Sequence, residues 1–299
     1  MKWSAYNQSL VRRGEILIGF DVINNWDTEL KEMNKDKVGE PFSYPDTFLL
    51  LLGYAKLYFH LPYRQTEGIA QGHAKGKVPS IPHYTTINRR INKLDIKIKD
   101  NTSKEFEDDY FIIAIDSTGI KVTNRGQWIR DKWGIRKGYL KIHVAVDVKT
   151  KKILAIKVTD EHTHDSKALP GLIDGVIKSD NMTTTAATTI GKLFADGAYD
   201  SNDVFRCLVE NGIVPCIKVR RNAMVKKTNH ILRNLSVIFQ KNNLQEWKDS
   251  VSYGKRWIAE TVFSCIKRTF GEYVYSVILK NMIQEMMLKA SLYNKMISI

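Results

Sequence analysis

A carboxylate set among basic and aromatic side chains is the first feature of this sequence that could do chemistry. Residues 253–267, YGKRWIAETVFSCIK, contain Glu260 together with Tyr253, Arg256 and Lys267. At about 100° per residue, an α-helix over this segment places the four polar side chains on one narrow stripe. Taken alone, the pattern fits a functional carboxylate and a solvated Arg256–Glu260 ion pair equally well.

Two aspartates that follow apolar runs favour the functional interpretation. Asp116 follows the run FIIAI at 111–115, and Asp196 follows the run IGKLFA at 190–195. Such runs predict buried strands, and an acid at the carboxyl end of a central strand lies where open α/β sheets place their sites. Converging carboxylates repel one another unless they hold cations. Asp116, Asp196 and Glu260 therefore predict a metal site, and oxygen ligands favour Mg²⁺ or Mn²⁺ over Zn²⁺.

The order Asp, Asp, Glu and the spacing Tyr-x2-Arg-x3-Glu-x6-Lys resemble the DDE transposases of bacterial and archaeal insertion sequences. The context of the second acid, DGAYDS at 196–201, and the segment KIHVAVD at 141–147 are similar to the same family. The resemblance covers roughly residues 110–275. It implies cleavage of DNA at the ends of an element, strand transfer into a target, and protomers paired across two ends.

The resemblance also assigns roles to the residues of the motif. The three acids would be catalytic and would bind two Mg²⁺ or Mn²⁺ ions, of which one activates the attacking water or 3′-hydroxyl and the other stabilises the leaving oxygen. Arg256 and Lys267 would hold DNA phosphates, and Tyr253 would position the strand. Two alternatives stay open: a catalytically inactive, domesticated DNA-binding regulator derived from a transposase, and a plain metal-dependent nuclease.

The predicted fold class is α/β, with an RNase H-like mixed-sheet catalytic domain at 110–299 preceded by a small, mostly helical domain at 1–109. The acidic decapeptide DNTSKEFEDD at 100–109 predicts the linker between them. A basic insertion at about 220–250 precedes the Glu260 helix. The expected strands are 111–115, 139–146, 153–158, 190–195 and 213–219, and the other helices of this half are 165–177, 203–210 and 283–297.

The N-terminal half predicts three helices, at 47–60, 63–71 and 85–93. The last two resemble a helix-turn-helix, but their connection is longer than the usual turn. A DNA-binding helix and an ordinary helical bundle both fit. In the first case Arg89 and Arg90 are candidates to contact DNA bases.

The charge of the chain predicts a polyanionic partner. Lys and Arg number 46 against 32 Asp and Glu, which gives a formal net charge of +14. Double-stranded DNA is the expected partner. Basic tracts at 121–141 and 218–245, the second containing Arg220 and Arg221, are expected to contact phosphates. Trp128 and Trp133 interrupt the first tract, as either stacking or core residues.

Other titratable residues compete for the site. Asp147 is interpreted as a turn former, and Asp200 as the cap of the following helix. His143 faces either the metal site or solvent. His162 and His164 imitate a metal cluster, which a loop between a strand and a helix explains equally well.

The composition contains no sign of a membrane or disulfide-bonded protein. No apolar run approaches a transmembrane length, and the N-terminal residues predict no signal peptide. The three cysteines lack a CxxC spacing. We therefore expect a cytoplasmic protein without a membrane partner.

Overall fold

The computed structural model describes residues 3–15, 17, 24–96, 98, 110–122, 139–179 and 189–299. It consists of two compact units, one formed by residues 1–97 together with 276–299 and one formed by residues 98–275. Residues 276–299, which were expected in the second domain, belong to the first unit. The predicted linker at 100–109 lies outside the described residues.

The first unit is helical. Its helices are α1 (Trp3–Glu15), α2 (Trp26–Asn34), α3 (Asp46–Tyr58), α4 (Tyr63–Ala74), α5 (Tyr84–Ile91) and, from the C-terminal segment, α11 (Leu279–Ile297). The helices predicted at 47–60, 63–71 and 85–93 are confirmed, with shifted ends. Nine of the thirteen residues of α3 are buried, because α4, α5 and α11 all pack against it. The amide of Gln284 on α11 donates to the carbonyls of Ile91 and Leu94, which explains why the C-terminal helix belongs here.

The second unit is built on a mixed sheet. Its strands are β1 (Tyr110–Val122), β2 (Tyr139–Asp147), β3 (Ile153–Asp160), β4 (Thr189–Ala195), β5 (Val214–Ile217) and β6 (Tyr273–Val274). The strand order is β3-β2-β1-β4-β5, with β6 paired to β1. The first three strands are antiparallel neighbours, and β4 and β5 are parallel to β1. The helices are α6 (Asp165–Ser179), α7 (Asn202–Glu210), α8 (Ile231–Asn242), α9 (Leu244–Val251) and α10 (Trp257–Phe270). This architecture confirms the predicted α/β, RNase H-like fold.

Successive side chains of β1 point alternately to the two faces of the sheet. Ile113 and Ile115 pack with apolar side chains of α6 and α7 in one core cluster. The residues between them point to the opposite face, where α10 packs on β1 and β2. This second face carries Asp116, whose carboxylate contacts Arg256 just before α10.

Two predicted elements have different bounds in the structure. The strand expected at 111–115 extends to Val122, so Asp116 lies within β1 and not after it. Pairing with β2 and, at Lys121 and Val122, with β6 keeps the polar stretch after Asp116 extended. The helix expected at 253–267 begins only at Trp257, because Tyr253–Arg256 form a 3₁₀ turn.

Among the described residues, no helix combines the length and the apolar character needed to cross a membrane.

Candidate active site

Asp116 and Asp196 lie side by side because of the register between two parallel strands. β1 and β4 pair at Ile113 with Leu193 and at Ala114 with Phe194. Asp116 lies two residues beyond Ala114 in β1, and Asp196 lies two residues beyond Phe194, just after β4 ends, so the two side chains point to the α10 face. β4 ends at Ala195, and the Asp196 carboxylate accepts a hydrogen bond of 2.9 Å from the Ala198 amide in the following 3₁₀ turn, Gly197–Tyr199.

Glu260 reaches the same region from α10. Val262, Phe263 and Ile266 of this helix are buried, which fixes the helix on the sheet and leaves Glu260 partly exposed. The Arg256 guanidinium connects the two elements: Nη1 lies 3.4 Å from Asp116 Oδ2, and Nη2 donates to Glu260 Oε1. The structure therefore brings Asp116 and Glu260 onto one guanidinium group.

The electrostatics of Asp116 reflect its burial and the acids near it. Burial raises the pKa of Asp116 to about 6, and the charges of Asp196 and Glu260 act in the same direction. The Ser117 amide and the Arg256 guanidinium oppose this rise but do not cancel it. Burial therefore outweighs the positive charge of the nearby guanidinium in setting the pKa of Asp116.

The donor chemistry of this site fits a hard divalent cation, although the side chains do not form a closed cage. In the described parts of the chain, no three His, Cys, Asp or Glu side chains lie close enough together to hold one ion. Asp116, Asp196 and Glu260 nevertheless offer the carboxylate oxygens that Mg²⁺ and Mn²⁺ prefer. Arg256 now neutralises two of them, as a cation would.

Tyr253 and Lys267 both have partners within the fold. Tyr253 is buried, and its hydroxyl donates to the Ala195 carbonyl at 2.9 Å, next to Asp196. The helical stripe predicted for Tyr253 is wrong, because this residue belongs to the 3₁₀ turn and its hydroxyl supports the end of β4. Lys267 is partly exposed and donates to Thr118 Oγ1 at 2.8 Å. Their predicted DNA contacts stay predictions.

A basic groove of about 880 Å³ adjoins the acids. Its lining includes Asp196, Tyr253 and Arg256, and Asp196 is the only acid among the described lining residues. The other basic side chains of the groove are Lys218, Arg220, Arg221, Lys241 and Lys248. Trp257 also lines it and is 66% exposed. Lys248 and Trp257 are groove residues that were not predicted from the sequence. The position of Trp257 directly after Arg256 was the signal that could have identified it.

Two basic residues predicted to bind DNA, Arg220 and Arg221, differ in their contacts. Arg221 is exposed in the groove. Arg220 is also exposed, but its Nε donates to the Gly197 carbonyl at 3.0 Å and its Nη2 to the Ala198 carbonyl at 3.4 Å. Arg220 therefore holds the turn that follows Asp196, in addition to any contact with DNA.

Asp200 and Asp147 have structural roles. Asp200 is buried and accepts two hydrogen bonds from Arg233, at 2.7 and 3.0 Å. The prediction that Asp200 caps α7 is wrong, because the Ser201 hydroxyl accepts from the Val204 amide there. Asp147 is confirmed as a turn former, since its carboxylate accepts from backbone amides of the β2–β3 turn.

The predicted histidine candidates do not face the acids. His143 is fully buried beside Asp165, so neither the metal site nor solvent surrounds it. His162 and His164 are exposed, and His162 pairs with Glu161.

Arg89 and Arg90 belong to the first unit and differ in exposure. Arg89 is exposed. Arg90 pairs with Asp46 and its guanidinium stacks 4.1 Å from the Phe42 ring centroid, which leaves the side chain 12% exposed. Trp128, Trp133 and most of the tract 121–141 lie outside the described residues.

Solved structures that are similar to this chain include three with low sequence identity. A chain of the simian T-cell lymphotropic virus intasome in complex with PP2A regulatory subunit B56γ is 14% identical, covers 69% of this chain and is itself 65% covered, with a TM-score of 0.27. The piggyBac transposase synaptic complex with hairpin DNA is 9% identical over 96% of this chain and 74% of its own, with a TM-score of 0.44. The Mos1 mariner paired-end complex with Mn is 9% identical over 82% of this chain and 84% of its own, with a TM-score of 0.27. This chain thus spans less than two thirds of the length of the intasome chain.

Family models give the assignment. A model described as the transposase DDE domain matches residues 107–295, and a second model with the same description matches residues 11–125. The first match covers well over half of the chain and contains Asp116, Asp196 and Glu260. The chain belongs to the DDE transposase family.

Proposed function

We propose that this chain catalyses metal-dependent DNA cleavage and strand transfer at the ends of an insertion sequence. The observation that supports this most strongly is that acids from three separate elements lie around Arg256 and the basic groove. Arg256 contacts both Asp116 of β1 and Glu260 of α10, and it lines the groove together with Asp196. The groove that begins at Asp196 is lined with Lys and Arg, as a site for the DNA backbone requires.

The three acids are the proposed catalytic residues and the ligands of Mg²⁺ or Mn²⁺. When two such ions are bound, they supply a more acidic nucleophile and stabilise the leaving oxygen. The chain itself supplies the geometry. β1 and β4 hold Asp116 and Asp196 on one edge, Tyr253 supports the end of β4 through the Ala195 carbonyl, and buried residues of α10 hold Glu260 above the sheet.

Arg256 is proposed to have two roles. In the structure it offsets the repulsion between Asp116 and Glu260. Because Arg256 also lines the basic groove, its planar guanidinium would be well suited to contact a DNA phosphate there. Lys267, on the same side of α10, is proposed to contact a second phosphate.

The partner is proposed to be double-stranded DNA, both element ends and target, with a homo-oligomer assembled on paired ends. A domesticated regulator would bind DNA without needing the acids, and the presence of all three argues against it. A plain nuclease would cleave without joining the new 3′ ends to a second duplex. Joint molecules therefore distinguish a transposase from a nuclease.

The test uses labelled duplexes that carry the flanks of the coding region, incubated with a supercoiled target plasmid. We expect cleavage and joint molecules with Mg²⁺ or Mn²⁺. With Ca²⁺ we expect bound DNA without reaction, because looser coordination positions the nucleophile poorly. Full cleavage in EDTA would refute metal-dependent chemistry. Cleavage without joint molecules would favour the nuclease.

A further inference from the structure

Three buried polar atoms lie behind the candidate active site without a hydrogen-bond partner among the described residues. They are His143 Nδ1, Asp165 Oδ1 and Tyr199 Oη. Buried polar side-chain atoms are nearly always hydrogen-bonded, and leaving one unpaired costs stability. Three such atoms in one region therefore call for a physical explanation.

The three groups lie on the face of the sheet opposite the acids. Ser117 of β1 pairs with His143 of β2, and paired residues of antiparallel strands share a face. Since Asp116 precedes Ser117, His143 points away from the Asp116 side. Tyr199 belongs to the apolar cluster on that same opposite face.

His143 and Asp165 form the first part of the group. His143 Nε2 lies 3.0 Å from Thr159 Oγ1, whereas Nδ1 lies 3.4 Å from Asp165 Oδ1 without hydrogen-bond geometry. Lys141 Nζ lies 2.7 Å from the same oxygen and forms an ion pair with it, also without hydrogen-bond geometry. Burial lowers the pKa of His143 to about 4, so the imidazole is neutral at pH 7.

Tyr199 connects this group to the active site. It ends the Gly197–Tyr199 turn, in which the Ala198 amide donates to the Asp196 carboxylate, and α6, which begins at Asp165, packs against this turn. Burial raises the pKa of the Tyr199 hydroxyl, and among the charges that add to the rise Asp165 contributes most, ahead of Asp116 and Asp196. The phenol is thus neutral and can both donate and accept a hydrogen bond.

We propose that one buried water molecule bridges His143 Nδ1, Asp165 Oδ1 and Tyr199 Oη, and that this bridge fixes the turn carrying Asp196. Buried waters typically make three hydrogen bonds to polar groups that otherwise have none. A cation is excluded as the bridge, because Lys141 already lies against the Asp165 oxygen. Tyr199 is then a positioning residue that acts through Asp196. The expected effect on DNA cleavage rests on the proposed function, but the expected effect on the turn after Asp196 does not.

The experiment compares wild-type protein with Tyr199→Phe, which removes only the hydroxyl. Tyr275→Phe is the matched control, because its hydroxyl is exposed in the same unit, where it contacts Tyr273. The deciding readout is hydrogen exchange in the peptide that contains Ala198, whose amide donates to Asp196. We expect at least about tenfold faster exchange in Tyr199→Phe at an unchanged or higher unfolding temperature, and no change in Tyr275→Phe.

Activity provides an independent second readout. If wild-type protein cleaves DNA, Tyr199→Phe should lower the rate at saturating DNA at least about tenfold without weakening DNA binding. Faster exchange in a protein that never cleaves would support the bridge and count against the proposed function alone. Unchanged exchange at Ala198 would overturn the bridge, whatever the activity. If Tyr199→Phe fails to fold, Asp165→Asn replaces it, with the same expected and contrary results.

Discussion

Arg256 holds acids from two different elements on a single guanidinium group. Its Nη1 lies 3.4 Å from Asp116, and its Nη2 pairs with Glu260. Despite this cation, burial and the neighbouring acids raise the pKa of Asp116 to about 6. Asp116 is therefore half protonated near pH 6, and a divalent cation at the proposed site would have to displace that proton.

Metal affinity should consequently depend on pH. With a pKa of about 6, Asp116 is mostly ionised at pH 7 and mostly protonated at pH 5, so Mn²⁺ binding should be about tenfold weaker at pH 5. Isothermal titration of the DNA-free protein measures this. Asp203→Asn is the control, since that acid is exposed on α7 and should leave the dependence intact. Equal affinity at both pH values would contradict the raised pKa of Asp116.

The contacts of Arg89 and Arg90 predict opposite effects for two adjacent substitutions. Arg90→Ala removes the Asp46 ion pair and the stacking on Phe42, so it should lower the free energy of unfolding by about 1–2 kcal/mol. Arg89→Ala should leave stability unchanged and, if α5 reads bases, should weaken binding to the element end by about 1–3 kcal/mol. Thermal unfolding and binding isotherms on end and random DNA test both. If Arg89→Ala weakened binding to end and random DNA equally, the prediction that α5 reads bases would be wrong.

At the scale of elements, the segment after β5 both lines the groove and supports the Asp196 turn. Arg220 has both roles, because it lines the groove and its guanidinium donates to the Gly197 and Ala198 carbonyls. The buried Asp200–Arg233 pair connects the same turn region to α8. The basic insertion is thus structurally coupled to the position of Asp196, one of the three proposed catalytic acids.

Arg220 and Arg221 should therefore respond differently to substitution. Arg221→Ala should weaken binding to end-containing DNA and to random DNA equally. It should also reduce the slope of log K against log salt concentration by about 0.9. Arg220→Ala should also lower the cleavage rate at saturating DNA at least about tenfold, because it releases the turn after Asp196. Arg221→Ala is the matched control for that rate. Identical rates for the two variants would show that Arg220 contributes only charge.

The strand and helix elements were predictable where periodicity was strong. The apolar runs before Asp116 and Asp196 predicted β1 and β4, and the amphipathic pattern around Glu260 predicted α10. The extension of β1 to Val122 was not predictable, because the stretch after Asp116 is polar and is kept extended by pairing with β2 and β6. Nor was the 3₁₀ turn at Tyr253, since a turn and a helix start share the same local pattern.

At the scale of the whole molecule, the order of the acids, the Tyr-x2-Arg-x3-Glu-x6-Lys spacing and the sequence around Asp196 together predicted the family and its RNase H-like sheet. The placement of α11 in the first unit was not, because its partners are α3 and the end of α5, far away in sequence. The group formed by His143, Asp165 and Tyr199 could not be predicted from the sequence either. Nothing in the sequence shows that His143 and Tyr199 share a sheet face with Asp165, since this depends on the register of β1 and β2.

The measurement that tests the central claim most directly is single-turnover cleavage of end-containing DNA by Asp116→Ala, Asp196→Ala and Glu260→Ala in Mg²⁺. Each variant should bind DNA as wild type does and cleave at background level, because each loses a carboxylate proposed to hold the metal ions. Asp203→Ala, an exposed acid seven residues after Asp196, should cleave normally. Near-wild-type cleavage by any of the three variants would contradict the assignment of that acid and the three-carboxylate mechanism.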